Sequence, residues 1–428
     1  MRYHPGMSTD KRARLAALLA EPRSVGPTTW SQGTHVMHQW MVPTSAASNM
    51  RSTLRLLHPV DPDDWRRRLQ AILDRHPVLR STYDLAAYGI CQRVQPSQPV
   101  SFDIVDARPW TAEALSRRLS VDAHRPMDVY RGPLFRARLY QRTHEAILQL
   151  EVHHAACDLW SLELILAELH ETVPASLPPP YLAYVARHLA WLKGPGGQAT
   201  ADWWRGLLAG ASRLRIGPSE EADPAAWVGL QLDASTARRV CRTHGCTLFV
   251  LLLSVFQGVL RRLTGRTDIL IASPVANRAE PFTQTVGLFA NAIVYRQELA
   301  GLTPEALLAR NRELVSTAIE HQGRSVETAE PFTDVLFLFQ QYQKARWTGP
   351  TSPNDLGLRS GGFAQTADGL EEILYIEHDT INTPLVLDIL EQQNTLSGVL
   401  RYRTTILTQA QAAALLEDFT QTLQSFTR

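Results

Sequence analysis

The 428-residue sequence predicts an α/β fold of the α+β sandwich kind, arranged as two units of similar scale. Three observations predict it. The chain is longer than one compact core usually takes, so two units are the default. Both halves alternate strand-like and helix-like segments of ordinary length. Between them lies Val173-Pro174-Ala175-Ser176-Leu177-Pro178-Pro179-Pro180, whose run of prolines favours extended polyproline geometry. The expected division is 1–173, a proline-rich linker at 174–180, and 181–428.

Residues 9–19 read as an amphipathic helix, with Asp10, Lys11, Arg12 and Arg14 against Leu15, Leu18 and Leu19. A strand follows at 52–58. Residues 62–75 read as a helix capped by Asp61 or Asp63 that buries Trp65, Leu69, Ile72 and Leu73. Pro77 ends it after His76, and a strand follows. Strands are expected near 91–94 and 101–105, and a helix at 111–124. A turn at Gly132-Pro133 leads into a strand that should pair with 146–154 through a hairpin near 142–144. The second half reads as a helix at 181–192, a Gly-rich loop at 194–197, and helices at 200–208 and 247–263. Then come a strand at 268–278, the segment 286–296 and a helix at 304–321. Strands at 334–339, 372–376, 385–390 and 396–403 precede a final helix from Thr408.

The formal net charge of +1 argues against a nucleic-acid footprint. Cys91, Cys157, Cys241 and Cys246 have no disulfide or zinc-site spacing, so no metal is expected. The longest apolar run, 248–260, is broken by Ser254, Gln257 and Gly258 and is too short to span a bilayer. The first residues lack an apolar signal core, so a cytoplasmic protein is expected.

The stretch 151–161 carries the functional reading. Residues 146–154 alternate as a strand does, so His154 shares a face with Leu148, Leu150 and Val152. His153 shares the other face with Gln149 and Glu151. The two histidines point apart and do not chelate. On an apolar face the neutral imidazole is favoured, which suits a general base. A core histidine with a satisfied hydrogen bond is the alternative. Cys157 as nucleophile is a further one, but it would need a base beside it. Ser161 is expected to cap a helix at 162–171, with Glu163 in its first turn.

These residues resemble the condensation domains of nonribosomal peptide synthetases, chloramphenicol-acetyltransferase-like acyltransferases. The family's H-H-x-x-x-D-G motif stands here as His153-His154-Ala155-Ala156-Cys157-Asp158-Leu159. R-H-x-x-L-R-T-x-F stands as Arg75-His76-Pro77-Val78-Leu79-Arg80-Ser81-Thr82-Tyr83. The later elements are Pro274-Val275-Ala276-Asn277-Arg278 and Val286-Gly287-Leu288-Phe289-Ala290-Asn291 through to Arg296. Pro43 to Asn49 matches the segment after the family's first motif. The resemblance covers nearly the whole chain, in family order and spacing.

The departures are specific. Gln32 is followed by Gly33-Thr34-His35-Val36, without the family's arginine and tryptophan. Leu159 replaces a glycine, as in condensation domains that follow polyketide modules. Tyr181-Leu182-Ala183 lacks the aspartate of Y-x-D. H-Q-D-x-P-F-E reads His321-Gln322-Gly323-Arg324-Ser325-Val326-Glu327, and the arginine-rich stretch after it is nearly absent.

The resemblance implies two acetyltransferase-like lobes in a V-shaped pseudo-dimer, with an active-site tunnel at their junction. It implies transfer of an acyl, polyketidyl or peptidyl group to an amine or hydroxyl acceptor. The donor is a thioester on the 4′-phosphopantetheine arm of a carrier protein; no cofactor is bound by the chain itself. Leu159 tilts the donor towards a polyketide or other acyl chain, and the shortened segment favours a soluble acceptor over a carrier-bound one. Nε2 of His154 would be the catalytic base. Asp158 would be structural, paired with Arg278 or, in reserve, Arg296; His153 would be supportive. Trp160, Ser161 and Asn291 are tunnel candidates, with loop packing the alternative for Trp160 and Asn291. A monomer is expected. A catalytically silent relative that recruits a partner, or an acyl-CoA-dependent acyltransferase, are the alternatives.

Overall fold

The computed structural model describes residues 25–86, 89–170, 176–218, 223–324, 332–341, 354–356, 358–376, 383–392 and 394–426. The helix expected at 9–19 and residues 174–175 of the expected linker lie outside them. In chain order the first half gives β1 (Val25–Pro27), α1 (Trp30–Met41), β2 (Asn49–Leu56), α2 (Pro62–Arg75), β3 (Ser81–Ala86), β4 (Gly89–Val94) and β5 (Ser101–Asp106). It continues with α3 (Ala112–Ala123), β6 (Phe135–Gln141), β7 (Ala146–His153) and α4 (Leu159–His170). The second half gives α5 (Tyr181–Leu192), α6 (Pro195–Leu207), β8 (Ala225–Asp233), α7 (Ala234–His244), α8 (Leu248–Thr264), β9 (Asp268–Val275) and β10 (Asn291–Glu298). It ends with α9 (Pro304–Glu320), β11 (Val335–Gln341), β12 (Arg359–Gln365), β13 (Leu370–Tyr375), β14 (Leu385–Gln392), β15 (Thr395–Arg403) and α10 (Gln409–Ser425).

These elements build the mixed α/β architecture that the alternating segments predict. One six-stranded sheet has the order β12-β13-β2-β7-β6-β5, and another has β10-β9-β11-β14-β15-β8. A three-stranded sheet, β1-β4-β3, stands apart. The expected hairpin forms: β6 and β7 are antiparallel, with Phe135 opposite Val152. On the first sheet, Leu54, Leu148, Leu150 and Val152 pack with Trp65 and Leu69 of α2 and Ile165 of α4. On the second, α8 is buried nearly all round, through Leu251, Leu252, Leu253, Val255 and Phe256, as its predominantly apolar sequence requires.

The strands of the second half do not all stay in it. Hairpin β12–β13 pairs with β2, so that Ile373 lies opposite Leu54 in the first sheet. Arg55 reaches Glu145 at 2.6 Å and Asp355 at 2.5 Å, and Arg68 holds Asp368 at 2.6 Å. The sheets therefore exchange a hairpin across the expected division at 174–180.

Three expectations are corrected. The helix after the histidines begins at Leu159, and Asp158 rather than Ser161 is its cap: the Ser161 N–H donates to Asp158 Oδ1 at 2.8 Å. Strand β7 ends at His153, so His154 opens a 3-10 turn (His154–Ala156) instead of closing the strand. The Gly-rich stretch at 194–197 is no loop; it is the first turn of α6, with Pro195 at its first position, where the missing N–H costs nothing. A Cβ on Gly197 would lie 2.5 Å from the Leu192 backbone, so the glycine is there for the close approach of α6 to the end of α5.

Gly197→Ala is expected to lower stability by about 1–3 kcal/mol through overpacking, read as a lower denaturation midpoint. An unchanged midpoint would contradict that close approach.

Candidate active site

Strand β7 is central in its sheet, between β2 and β6. Both of its faces are buried. The polar face predicted for it is covered by α3, where Gln149 Nε2 donates to the Leu119 carbonyl at 3.0 Å. The strand delivers His153 with its N–H bonded to the Leu134 carbonyl at 2.9 Å, and His154 with its N–H bonded to the Ser48 carbonyl at 2.7 Å. The backbone of the pair is thereby fixed from two sides.

The ring of His154 has a defined tautomer. Nδ1 lies 2.8 Å from the Cys157 carbonyl, which can only accept, so Nδ1 carries the proton. Nε2 is left with its lone pair. Burial holds the imidazole pKa below the ordinary 6.5, while Asp158 and the local backbone oppose that shift. The ring is therefore neutral at neutral pH. The ring of His35, from α1, stacks on it with centroids 4.2 Å apart and planes 22° apart.

His153 is buried and differently bonded. Its Nδ1 accepts the Ala155 N–H at 3.1 Å, and burial pushes its pKa down to about 3. Cys157 is also fully buried; its Sγ donates to the Asp158 carbonyl at 3.2 Å, and burial pushes the thiol well up. A thiol held in its protonated form is a poor nucleophile, so nothing in this geometry favours the Cys157 alternative.

Asp158 uses both oxygens. Oδ1 accepts from Ser161 N–H and from Arg278 Nη2, each at 2.8 Å. Oδ2 accepts from Phe289 N–H at 2.9 Å and Ala290 N–H at 3.2 Å. With four donors on it, this carboxylate is not placed to take a substrate proton. Arg278 is equally engaged, donating to the carbonyls of Phe282 at 3.2 Å and Thr285 at 2.6 Å and to Ser161 Oγ at 2.5 Å. Its guanidinium lies 4.0 Å from the centroid of the Phe289 ring. Asn277 beside it adopts φ of 47°, a left-handed conformation asparagine tolerates, and donates to Tyr184 Oη at 3.1 Å and the Phe289 carbonyl at 3.2 Å. Arg296 is elsewhere, paired with Asp268 at 2.9 Å.

Of the three tunnel candidates, Ser161 is placed differently from that expectation, while Trp160 and Asn291 make the packing contacts given as their alternative. Ser161 is fully buried, its hydroxyl donating to the Gly287 carbonyl at 2.7 Å and accepting the Gly287 N–H at 2.9 Å. It cannot line a tunnel there, because the loop 285–290 covers it. A Cβ on Gly287 would lie 2.0 Å from the Tyr181 ring, so that loop also requires a glycine. Trp160 is half-exposed and its Nε1 donates to the Thr283 carbonyl at 3.1 Å, which is loop packing. Asn291 is buried; it accepts from Ser31 Oγ at 2.9 Å and donates to the Gln322 carbonyl at 2.9 Å, linking α1 to the 321–324 segment.

Helix α1 is the part of the site that sequence reasoning missed. Thr29 and Gln32 form a capping box, and the buried Gln32 amide lies 2.9 Å from the Ala155 carbonyl and 3.0 Å from Tyr83 Oη. Tyr83 Oη itself donates to the same carbonyl at 2.8 Å. The surviving glutamine of the degraded first motif was the available signal. From the other motif, His76 Nε2 meets Glu168 of α4 at 2.9 Å and Arg75 meets it at 3.2 Å. Among the described residues no cluster of three or more His, Cys, Asp or Glu side chains is placed to hold a metal ion.

A family model described as "Condensation domain" matches residues 24–428. The chain is similar to a linear gramicidin synthase polypeptide of Brevibacillus parabrevis, 32% identical over 313 residues, covering 67% of this chain and 4% of that one. It is 30% identical over 394 residues to malpibaldin synthetase of Mortierella alpina, covering 83% of this chain and 7% of that one. The chain thus spans under a tenth of the length of either relative. Its fold is similar to the first condensation domain of the calcium-dependent antibiotic synthetase, with a TM-score of 0.75 and 17% identity, covering 95% of this chain and 96% of that one.

Two outcomes are expected of this geometry. Asp158→Ala leaves Arg278 buried without its charge partner and should cost about 3–5 kcal/mol, read by chemical denaturation. A protein of undiminished stability that has lost only activity would contradict a structural role. For His153, the folded pKa near 3 lies below the ordinary 6.5, so the unfolded chain binds the proton first as pH falls below about 6.5. Stability should fall over that window. His153→Asn keeps an acceptor for the Ala155 N–H and cannot titrate. It should flatten the acid slope by up to ~1.4 kcal/mol per pH unit; an unaltered slope would show that His153 is not a neutral buried group.

Proposed function

Because the chain belongs to the condensation-domain family of nonribosomal peptide synthetases, whose members are amide-forming acyltransferases working with carrier-protein domains, we propose that it joins a carrier-bound acyl thioester to an amine or hydroxyl acceptor. The donor would be an acyl, polyketidyl or peptidyl group on a 4′-phosphopantetheine arm, as a step in natural-product assembly. The observation that carries the reading is the tautomer of His154: Nδ1–H is committed to the Cys157 carbonyl, which leaves Nε2 as a neutral acceptor. The nitrogen or oxygen of the acceptor attacks the thioester carbon as Nε2 takes its proton. A C–N or C–O bond forms, the C–S bond breaks, and the proton passes to the departing thiolate.

General-base help of this kind is worth ~10² to 10⁴ in rate. Holding both reactants in line supplies effective molarities of ~10⁵ M or more, so much of the acceleration comes from binding. A hydroxyl depends on the base more than an amine does. Leu159 supports an acyl or polyketide donor: it is a partly exposed apolar side chain beside the Asp158 cap. The shortened sequence after the 321–324 segment supports a soluble acceptor.

Wild type and His154→Ala should be compared by mass spectrometry, with an acyl-loaded carrier protein and paired amine and alcohol acceptors. Ester formation should fall by ~10² or more, and amide formation by less. The acid limb of kcat/KM should lie below pH 6.5, because burial lowers the His154 pKa and activity is lost only as the base protonates. Undiminished turnover by His154→Ala would overturn the base assignment. Product from acyl-CoA without any carrier would move the donor to a soluble thioester, and no product from any donor would favour a silent, partner-recruiting domain.

A further inference from the structure

His35 stands where the first motif departs from its family, and the function above gives it no part. The structure brings it directly onto the proposed base. It lies three residues after Gln32 on α1, so the two side chains share a helix face. Gln32 grips the turn through the Ala155 carbonyl at 2.9 Å, and His35 stacks on His154 with centroids 4.2 Å apart and planes 22° apart. Ser48 ties the two histidines together. Its carbonyl accepts the His154 N–H at 2.7 Å, and its hydroxyl lies 3.2 Å from His35 Nδ1. The His154 ring is thus held at its backbone, at its Nδ1 edge and over one face.

The Nδ1 hydrogen bond alone fixes one edge of the ring and still allows tilt about that contact. The Nε2 lone pair lies in the ring plane, so tilt would swing it. We propose that His35 is a positioning residue, whose stacked imidazole fixes the plane of His154 and keeps water from that face. This rests on the reading of His154 as base. Charge considerations agree with it. His154, His153 and His38 all disfavour a proton on His35, while Asp158, paired with Arg278, favours one on His154. Burial is the largest influence on both stacked rings, and each ring supplies part of the other's burial.

The experiment uses the full chain with isotope-labelled histidine and follows the His154 ring by NMR through a pH titration, alongside turnover. In His35→Ala the His154 pKa should rise towards 6.5 as water reaches the uncovered face, while the Nδ1–H tautomer, held by the Cys157 carbonyl, stays. Turnover should fall ~10-fold in kcat with KM changed less than ~2-fold, as expected for lost orientation rather than lost binding. His35→Phe restores a stacked ring without a titrating nitrogen and should recover the wild-type His154 pKa and most of the rate. If His35→Ala does not fold, Ser48→Ala, which keeps the backbone carbonyl and removes the hydroxyl contact, should show the same changes in milder form. A His154 pKa unmoved in the variant that folds, or His35→Phe as damaging as His35→Ala, would overturn the proposal. The NMR readout needs no substrate. If His154→Ala turns over normally while His35→Ala still disturbs the His154 ring, the base assignment fails and the positioning contact stands.

Discussion

The site depends on one buried ion pair. Asp158 and Arg278 come from opposite sides of the expected division at 174–180, and their side chains are 4% and 1% exposed. Two charges so deeply buried are costly unless every lone pair and most donors are met. Here the carboxylate collects three backbone N–H groups besides the guanidinium, two of them from the successive residues Phe289 and Ala290. The guanidinium in turn closes the loop through the Phe282 and Thr285 carbonyls. The pair therefore works less as a Coulombic clamp than as a template. It sets the start of α4, the path of residues 278–290 and, through them, what covers the turn that bears His154. Ser161 and Gly287 complete the template, one supplying a hydroxyl between two backbone groups and the other the room for Tyr181.

A second constraint acts on the opposite side of the turn. Helix α1 presents Gln32 and His35 inward, and Gln39 below them is buried as well. A buried polar face is expensive unless it is bonded, and Gln32 meets that requirement with Tyr83, Gln92 and Ala155. Polar gripping from α1 and ionic templating from residues 278–290 leave the His154 turn little freedom. Burial keeps His35, His153 and His154 neutral, which is the state a base needs before it accepts a proton.

The sequence made the central architecture legible because its signals there are local. The apolar spacing of Trp65, Leu69, Ile72 and Leu73, with Asp61 and Pro62 before them, specifies α2 without reference to the rest of the chain. The alternation up to His153 specifies β7, and the family-like motifs bring Asp158 and Arg278 under one description. What escapes has a physical reason in each case. Helix α1 is hidden because its buried positions include glutamines, so hydrophobic periodicity fails there. Strand β12 carries Gly361-Gly362, which weakens any strand signal, and β8 is interrupted by Gly229. Ser161 reads as a cap it does not make because Asp158, three residues earlier, is the better one, and a one-dimensional reading cannot see that the serine hydroxyl is used by Gly287. His35 is legible only as a departure from a motif; that it lies on His154 is a fact of the packing of α1.

Leu159 belongs with those departures, and the structure narrows what it can mean. It is the first residue of α4, directly after the Asp158 cap, so its backbone is helical and no left-handed conformation calls for glycine. Leucine is favoured over glycine in a helix by up to about 1 kcal/mol. The substitution therefore does not weaken the template around Asp158, and the N–H groups that cap the helix are unaffected by the side chain. Nor is the leucine buried: it is 39% exposed, five residues after the proposed base in sequence. Neither folding nor capping therefore requires glycine at this position, and the departure from the family pattern leaves the scaffold around Asp158 intact.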